Sequence, residues 1–452
     1  MKLSLTFMVI LFMVSTAIRA QVAPAAKGPP GLPVSGTLRY DLHYAETTQF
    51  GSGQDGQQMS IVSGDASYAN ISKRLPFSMQ YGGGYGYAWA GPSSGGNVFQ
   101  HLLLSQGMVG RKWNLMASDN VNYTFETPTT GFSGIPGTGE PIGGPGTTAP
   151  PVQTILTVNT RTINNITTLA AGHRLDSSTS INLGGSVGQM RFIDNNGQNT
   201  DIWTTYAGVT RRLNARNSAS AQYSFMRFNY GAYTSGIPSI EQISYSQVHS
   251  MQFSFVRQWN RHFMTSASAG PQWISSSNSA IVPSSTILSA NASAAYTFRA
   301  GTASLMYSHG TFGGSGYMLG VESDIAIAAF SRSFRIGKNL TIGVTGSYMR
   351  TSSLIAAEFE YACSIDNVNY ICLVPLNYTP VTDATFGGVQ ATRKLSRYLN
   401  AFASYTAIDQ SSNLQTSVPN TPLSSNATIL NGLNQVISFG IGYSPREIHL
   451  RK

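Results

Sequence analysis

A short basic turn recurs about every forty residues along this chain, and the stretches between successive turns alternate in side-chain character as β-strands do. The turns are Ser72-Lys73-Arg74, Gly110-Arg111-Lys112, Arg174-Leu175-Asp176 and Arg211-Arg212-Leu213-Asn214-Ala215-Arg216. Four more follow: Arg257-Gln258-Trp259-Asn260-Arg261, Arg299-Ala300-Gly301, Arg335-Ile336-Gly337-Lys338 and Arg393-Lys394-Leu395-Ser396-Arg397. From each turn the chain runs out along one strand, makes a longer polar loop, and returns along another. Short turns at one end and long loops at the other predict an all-β, up-and-down antiparallel transmembrane β-barrel. A β-propeller shares the period, but its blades need four strands per repeat. This chain offers two longer ones, without the Gly-His and Trp-Asp signatures.

Eight turns imply sixteen strands, and one more at each end gives about eighteen, with sixteen to twenty compatible with the pattern. The predicted strands are 36–49, 57–70, 74–90, 97–108, 112–125, 162–174, 178–193, 201–212 and 218–230, then 244–257, 262–273, 286–298, 302–311, 321–334, 340–353, 382–393, 398–409 and 435–445. Most exceed the roughly 9–11 residues that a tilted strand needs to cross a bilayer. Three insertions, 126–161, 354–381 and 410–434, fall at the end opposite the basic turns and are expected to be extracellular loops.

The alternation has a particular chemistry. Leu288, Ala290, Ala292, Ala294, Tyr296 and Phe298 share one face, while Ser289, Asn291, Ser293 and Thr297 share the other. Leu340, Ile342, Val344 and Tyr348 oppose Thr341, Gly343, Thr345 and Ser347 in the same way, as do Ile437, Phe439, Ile441 and Tyr443 against Ser438, Gly440, Gly442 and Ser444. A soluble sandwich would carry charge on its polar face. Here that face is small and uncharged, which suits a lumen. Charged residues make up only 10% of the chain, well below the roughly 25% of soluble domains. The five tryptophans fit two interfacial girdles: Trp89, Trp203 and Trp273 near the long-loop end, Trp113 and Trp259 near the turns.

The first twenty residues read as a secretory signal peptide. Lys2 is its basic start, Leu3 to Val14 its apolar core, and Ala17-Ile18-Arg19-Ala20 its cleavage site. Residues 21–35, rich in Pro, Ala and Gly, form a flexible periplasmic leader; the barrel occupies 36–445, and 446–452 is a C-terminal extension. Export to the bacterial outer membrane follows. The formal net charge of +9 is unevenly spread, because seventeen basic residues lie in or beside the eight turns with Asp176 the single acid among them. A basic rim suits anionic lipid headgroups. It equally suits solvated turns that discourage aggregation. No aromatic-basic surface of the nucleic-acid-binding kind accompanies it. Cys363 and Cys372, close together in one loop, are expected to form a disulfide in an oxidising compartment. With no His or acid cluster beside them they make a poor metal site, and neither metal nor cofactor is expected.

Charges that could tune a pore are few. Taking Leu38, Tyr40 and Leu42 as lipid-facing puts Arg39, Asp41 and His43 in the lumen. Taking Val321, Ile325 and Ile327 as lipid-facing puts Glu322 and Asp324 there too. Such charges could set a field across a channel or brace the wall as salt bridges. Catalytic motifs are absent: there is no nucleophile elbow with partners, phosphate loop or His-Glu-x-x-His helix. The one pair of interest, Ser308-His309, would suit a barrel esterase; the expectation is a non-enzyme.

Three runs, Ser266-Ala267-Ser268-Ala269-Gly270-Pro271-Gln272-Trp273-Ile274, Thr351-Ser352-Ser353-Leu354 and Ala403-Ser404-Tyr405-Thr406-Ala407, resemble a group of bacterial outer-membrane β-barrel proteins. The group includes porin-like barrels, some associated with exopolysaccharide export. The resemblance implies a passive channel for small polar or saccharide solutes, or an export-associated barrel. Its implied partners are outer-membrane lipid, the barrel-assembly machinery and a saccharide or polymer solute. One departure is notable: many such barrels end on an aromatic residue, whereas here Tyr443 is followed by Ser444 to Lys452. The alternative function is a surface-display or adhesion barrel, its long loops binding a partner over a closed pore. Loop 126–161 could also fold inward as a constriction.

Overall fold

The computed structural model describes residues 36–51, 54–70, 72–90, 95–125, 157–158, 161–193, 199–230, 245–277, 279, 283–314, 319–334, 340–353, 358–365, 368–375, 381–412, 428–429 and 432–449. The expected secretory signal and leader and the Arg335-Ile336-Gly337-Lys338 turn lie outside them, as does most of loops 126–161 and 410–434.

Eighteen strands form the barrel. In chain order they are β1 (Thr37–Gly51), β2 (Gln54–Asn70), β3 (Phe77–Ala90), β4 (Gly95–Val109), β5 (Trp113–Phe125), β6 (Arg161–Arg174), β7 (Thr179–Phe192), β8 (Thr200–Arg212) and β9 (Asn217–Tyr230). The second half is β10 (Tyr245–Gln258), β11 (Phe263–Ser276), β12 (Ser285–Phe298), β13 (Gly301–Gly314), β14 (Leu319–Phe334), β15 (Leu340–Ser353), β16 (Val381–Lys394), β17 (Leu399–Ser412) and β18 (Gly432–Tyr443). Each pairs antiparallel with its successor, and β18 returns to β1 through Leu42↔Tyr443 and the rungs beyond it. Closure leaves no edge, the condition for strands to lie in lipid. Every predicted strand has its counterpart here. The clearest boundary shift is at β3, which starts after Pro76 because proline has no N–H to give a ladder.

The turns owe their shape to a side chain that caps them. Two residues beyond β6, Asp176 Oδ1 accepts from the Ser178 and Thr179 N–H groups. Asn214 does the same for Arg216 and Asn217, and Asn260 for His262 and Phe263. Ser396 and Ser72 supply a hydroxyl oxygen in equivalent places. These are Asx- and Ser-turns, in which a short side chain satisfies backbone donors left over at the reversal. Asp176 illustrates the electrostatics: the Ser178 N–H, the Ser178 hydroxyl and the Thr179 N–H hold its carboxyl at about 2. The basic residues decorate these turns, but the Asp, Asn or Ser closes them.

Outside the barrel, Glu358–Ile365 and Val368–Pro375 form a hairpin within loop 354–381. Cys363 lies opposite Tyr370, and Cys372 opposite Tyr361. The expected bond rests on side chains outside the described residues. Thr157–Val158 pairs with Thr428–Ile429, joining the loop after β5 to the loop after β17. Beyond β18, Ile448–His449 pairs back onto Thr37 and Leu38.

A barrel wall splays side chains on its convex face and crowds them on its concave face, so exposure separates outside from inside. Leu42, Val62, Trp89, Leu169, Leu288 and Phe439 are among the large apolar residues exposed on the outside. All five tryptophans belong to the exposed set. Inside, Ser and Thr alternate with larger apolar groups that pack into clusters. One holds Met226, Phe228, Tyr230, Val248 and Ile274; another holds Ala45, Met59, Ile61, Phe99 and Phe402. The lumen is therefore less uniformly hydroxyl-lined than the cleanest strands suggest. Close packing there also dictates glycine at 440, because a Cβ would run into the Phe402 ring and the Tyr44 carbonyl oxygen.

Candidate functional site

Charge on the inner face is gathered in one sector. Among the residues whose side chains are described, inward-facing Asp, Glu, His, Lys and Arg away from the turn ends are Arg39, Asp41 and His43 on β1, Asp65 on β2 and His101 on β4. On β1 they alternate with Leu42 and Tyr44, both exposed on the outside. Asp41 and Asp65 face each other directly across the β1–β2 ladder. Like charges in that position repel, so each acid is held by a cationic or cationisable partner. Arg39 Nε lies 2.9 Å from Asp41 Oδ2, and His43 Nε2 lies 3.3 Å from Asp65 Oδ2.

The row continues around the wall. Asp65 is opposite Gly82, and Gly82 is opposite His101, so no side chain stands between the second acid and the second imidazole. Glycine is needed on the other flank as well: a Cβ at Gly442 would lie 2.9 Å from His43 Nδ1 and overlap the Asn400 amide. The His43 ring thus lies along the wall, bridging from bare β18 backbone to Asp65. Arg39 and Asp65 keep 41% and 38% of their side-chain surface exposed, whereas Asp41 and His43 keep 13% and 8%. Three polar atoms in this sector, Asp41 Oδ1, His43 Nδ1 and Ser63 Oγ, are buried with no protein partner. Such orphan atoms are uncommon in folded proteins and call for water or a ligand.

Two expected lumen residues face the other way. Glu322 and Asp324 lie on the outer face of β14 with Phe330, while Ser323 and Ile325 point inward and are almost fully buried. Ile325 packs with Met349, Ala384 and Ile327 in a lumen-side cluster. The expectation takes Val321, Ile325 and Ile327 as lipid-facing, but Ile325 and Ile327 lie on the concave face. On the outside, His309 Nδ1 sits 3.0 Å from Asp324 and its Nε2 3.4 Å from Glu322. Tyr307 donates to Asp324 over 2.6 Å, and Tyr348 to Asp383 over 2.8 Å. Arg350 stands opposite both acids, Asp324 and Asp383.

Alternation also separates Ser308 from His309. The serine faces inward and donates to Asn291 Oδ1, while the imidazole faces outward onto the acids. The two cannot meet as nucleophile and base. Asp65 and His101, by contrast, were not singled out in the sequence. A signal was present: each has the parity opposite to exposed neighbours on its own strand, Val62 for Asp65 and Val98 for His101. No group of three or more His, Cys, Asp or Glu among the described residues has the arrangement of a metal site.

Neither a protein-family model nor a curated protein matches this sequence. Solved structures do match at the level of architecture. Pseudomonas aeruginosa OccK2 (OpdF), in complex with glucuronate, is 10% identical, with 90% of this chain and 98% of that chain covered and a TM-score of 0.42. P. aeruginosa OpdK with vanillate is 9% identical over 90% and 98%, with a TM-score of 0.42. P. aeruginosa OprD is 12% identical over 91% and 95%, with a TM-score of 0.38. These likenesses concern the barrel as an architecture and reach no particular residue.

Proposed function

We propose that this chain is a passive channel of the bacterial outer membrane for small polar solutes, hydroxyl-rich or saccharide ones foremost. The observation that carries the reading is the closed eighteen-strand wall with an apolar, aromatic-flanked outside and Ser, Thr, Asn and Gln recurring inside. Barrels of 16–18 strands leave room for an aqueous path. The loop after β5 supports a role as a constriction. It pairs with the loop after β17, six strands away around the rim, so the two meet across a chord of the mouth. The secretory signal and the barrel-assembly machinery belong to the same reading.

Purified full-length mature protein, reconstituted into planar bilayers, is expected to give stepwise single-channel currents. Preparations that are folded by heat-modifiable gel mobility yet carry no current would sink this reading. They would favour the alternative, a display barrel with a closed pore whose long loops bind a partner.

A further inference from the structure

We infer that the β1–β4 sector is a cation-recognition site in the lumen, erased in acid by its two histidines. The inference rests on the channel reading above. The ligand class is a small cation, an alkali ion or the ammonium group of a solute, passing along the wall at Asp65.

Three observations converge. First, the sector is the part of the inner face that carries acids and imidazoles, as described above, so its charge is not averaged out by an opposite wall. A confined, low-dielectric passage focuses such a field on the permeating solute. Second, Asp65 is the exposed acid, reachable from lumen water, while its partner His43 is buried behind it. Third, Asp41 Oδ1 is a buried acceptor without a donor, which leaves the sector short of positive charge.

The formal charges give the sign. With both imidazoles neutral, Arg39 against Asp41 and Asp65 leaves one net negative charge; with both protonated, one net positive charge. Imidazole is the side chain whose charge ordinarily changes between about pH 5 and 8. Among the residues whose side chains are described, none facing the sector from the packed elements cancels this change. The inward neighbours are Ser63 and Ser67 on β2, Gly82 and Gly84 on β3, Asn120 and Asn122 on β5, and Gly440 and Gly442 on β18. Glu447, which accepts from Thr37 at the periplasmic end, contributes equally in both states. The site therefore favours cations above the imidazole range and disfavours them below it.

The test is the reversal potential of the reconstituted full-length channel in a KCl gradient, read at about pH 8 and about pH 5, on either side of the imidazole range. The expected result is a shift toward anion preference on acidification. The His43→Gln/His101→Gln double variant should lose that shift. At pH 8, Asp65→Asn should move the potential toward anions and Arg39→Gln toward cations. Folding of each variant is checked by heat-modifiable mobility, and the opposite signs of the last two exclude a general loss of structure. A conducting wild-type channel whose selectivity is the same at both pH values, or a double variant that keeps the full shift, overturns the inference and leaves the channel reading standing. Absence of any current removes both.

Discussion

The β1–β4 wall and the β13–β16 wall carry nearly the same chemistry on opposite sides of the barrel surface. In the first, His43 and Arg39 hold Asp65 and Asp41 inside the lumen. In the second, His309 lies between Glu322 and Asp324, with Arg350 across the ladder, all on the outside near the long-loop end. Residue type does not decide which set can meet a solute. The parity of each residue within its strand does, because successive side chains point to opposite faces. The difference also matters energetically. The outer set is partly exposed and shares its acids with the Tyr307 and Tyr348 hydroxyls, so each pair contributes little. The inner set acts in a confined passage.

This contrast can be broken most strongly at two adjacent residues of β14. Ile325→Asp would place an unpaired carboxylate among Ile327, Met349 and Ala384, at an expected loss of about 3–5 kcal/mol. Asp324→Ala, one position away on the outer face, should cost about 1 kcal/mol or less. Urea unfolding of the folded barrel in detergent compares them, and equal losses would overturn the assignment of faces.

A smaller effect sharpens the outer side of the comparison. Tyr307→Phe removes the hydroxyl that donates to Asp324 and should lower stability by about 1 kcal/mol or less. Channel conductance should stay unchanged; a clear change in current would mean that this cluster reaches the lumen after all.

The smallest effect concerns neither wall but the turn between β6 and β7. The Asp176 carboxyl is held at about 2, below its ordinary 3.8, by donors from Ser178 and Thr179. A depressed folded-state value stabilises the fold above about pH 4 and loses that contribution as pH falls through about 2. Asp176→Asn should therefore unfold more easily than the wild type at neutral pH, and the gap should close in strong acid. A gap independent of pH would rule out this account of the turn.

Much of the architecture was legible in the sequence, for reasons visible at particular residues. The turn residues Asp176, Asn214, Asn260 and Ser396 satisfy donors only two or three residues away, so their effect is local and needs no knowledge of the fold. Strands such as β12 carry aromatic and aliphatic residues on one face and Ser or Asn on the other, and period two alone assigns their sides. β14 could not be read this way. Its Ile325 and Ile327 are as apolar as a lipid-facing pair, but they pack against Met349 and Ala384 from later strands. In the proposed lumen sector, Arg39, Asp41 and His43 stand two residues apart on one strand, so alternation groups them without knowledge of the fold. Asp65 and His101 offer no local cluster, because no second charged or imidazole side chain stands near either one on its own strand.

The sequence by itself thus determined an eighteen-strand count within a narrow range, the strand order, and which end carries short turns. Turn chemistry and two-residue alternation act over a few residues and are written directly in the chain. The tertiary structure alone decided that the aliphatic face of β14 is the inner one. It also decided that two acids, two imidazoles and a guanidinium from three strands share one stretch of wall. Both depend on register between strands, through which Asp41 meets Asp65 and Asp65 meets His101 across the bare backbone of Gly82. Register joins residues far apart in the sequence, and the alternation within any one strand does not encode it.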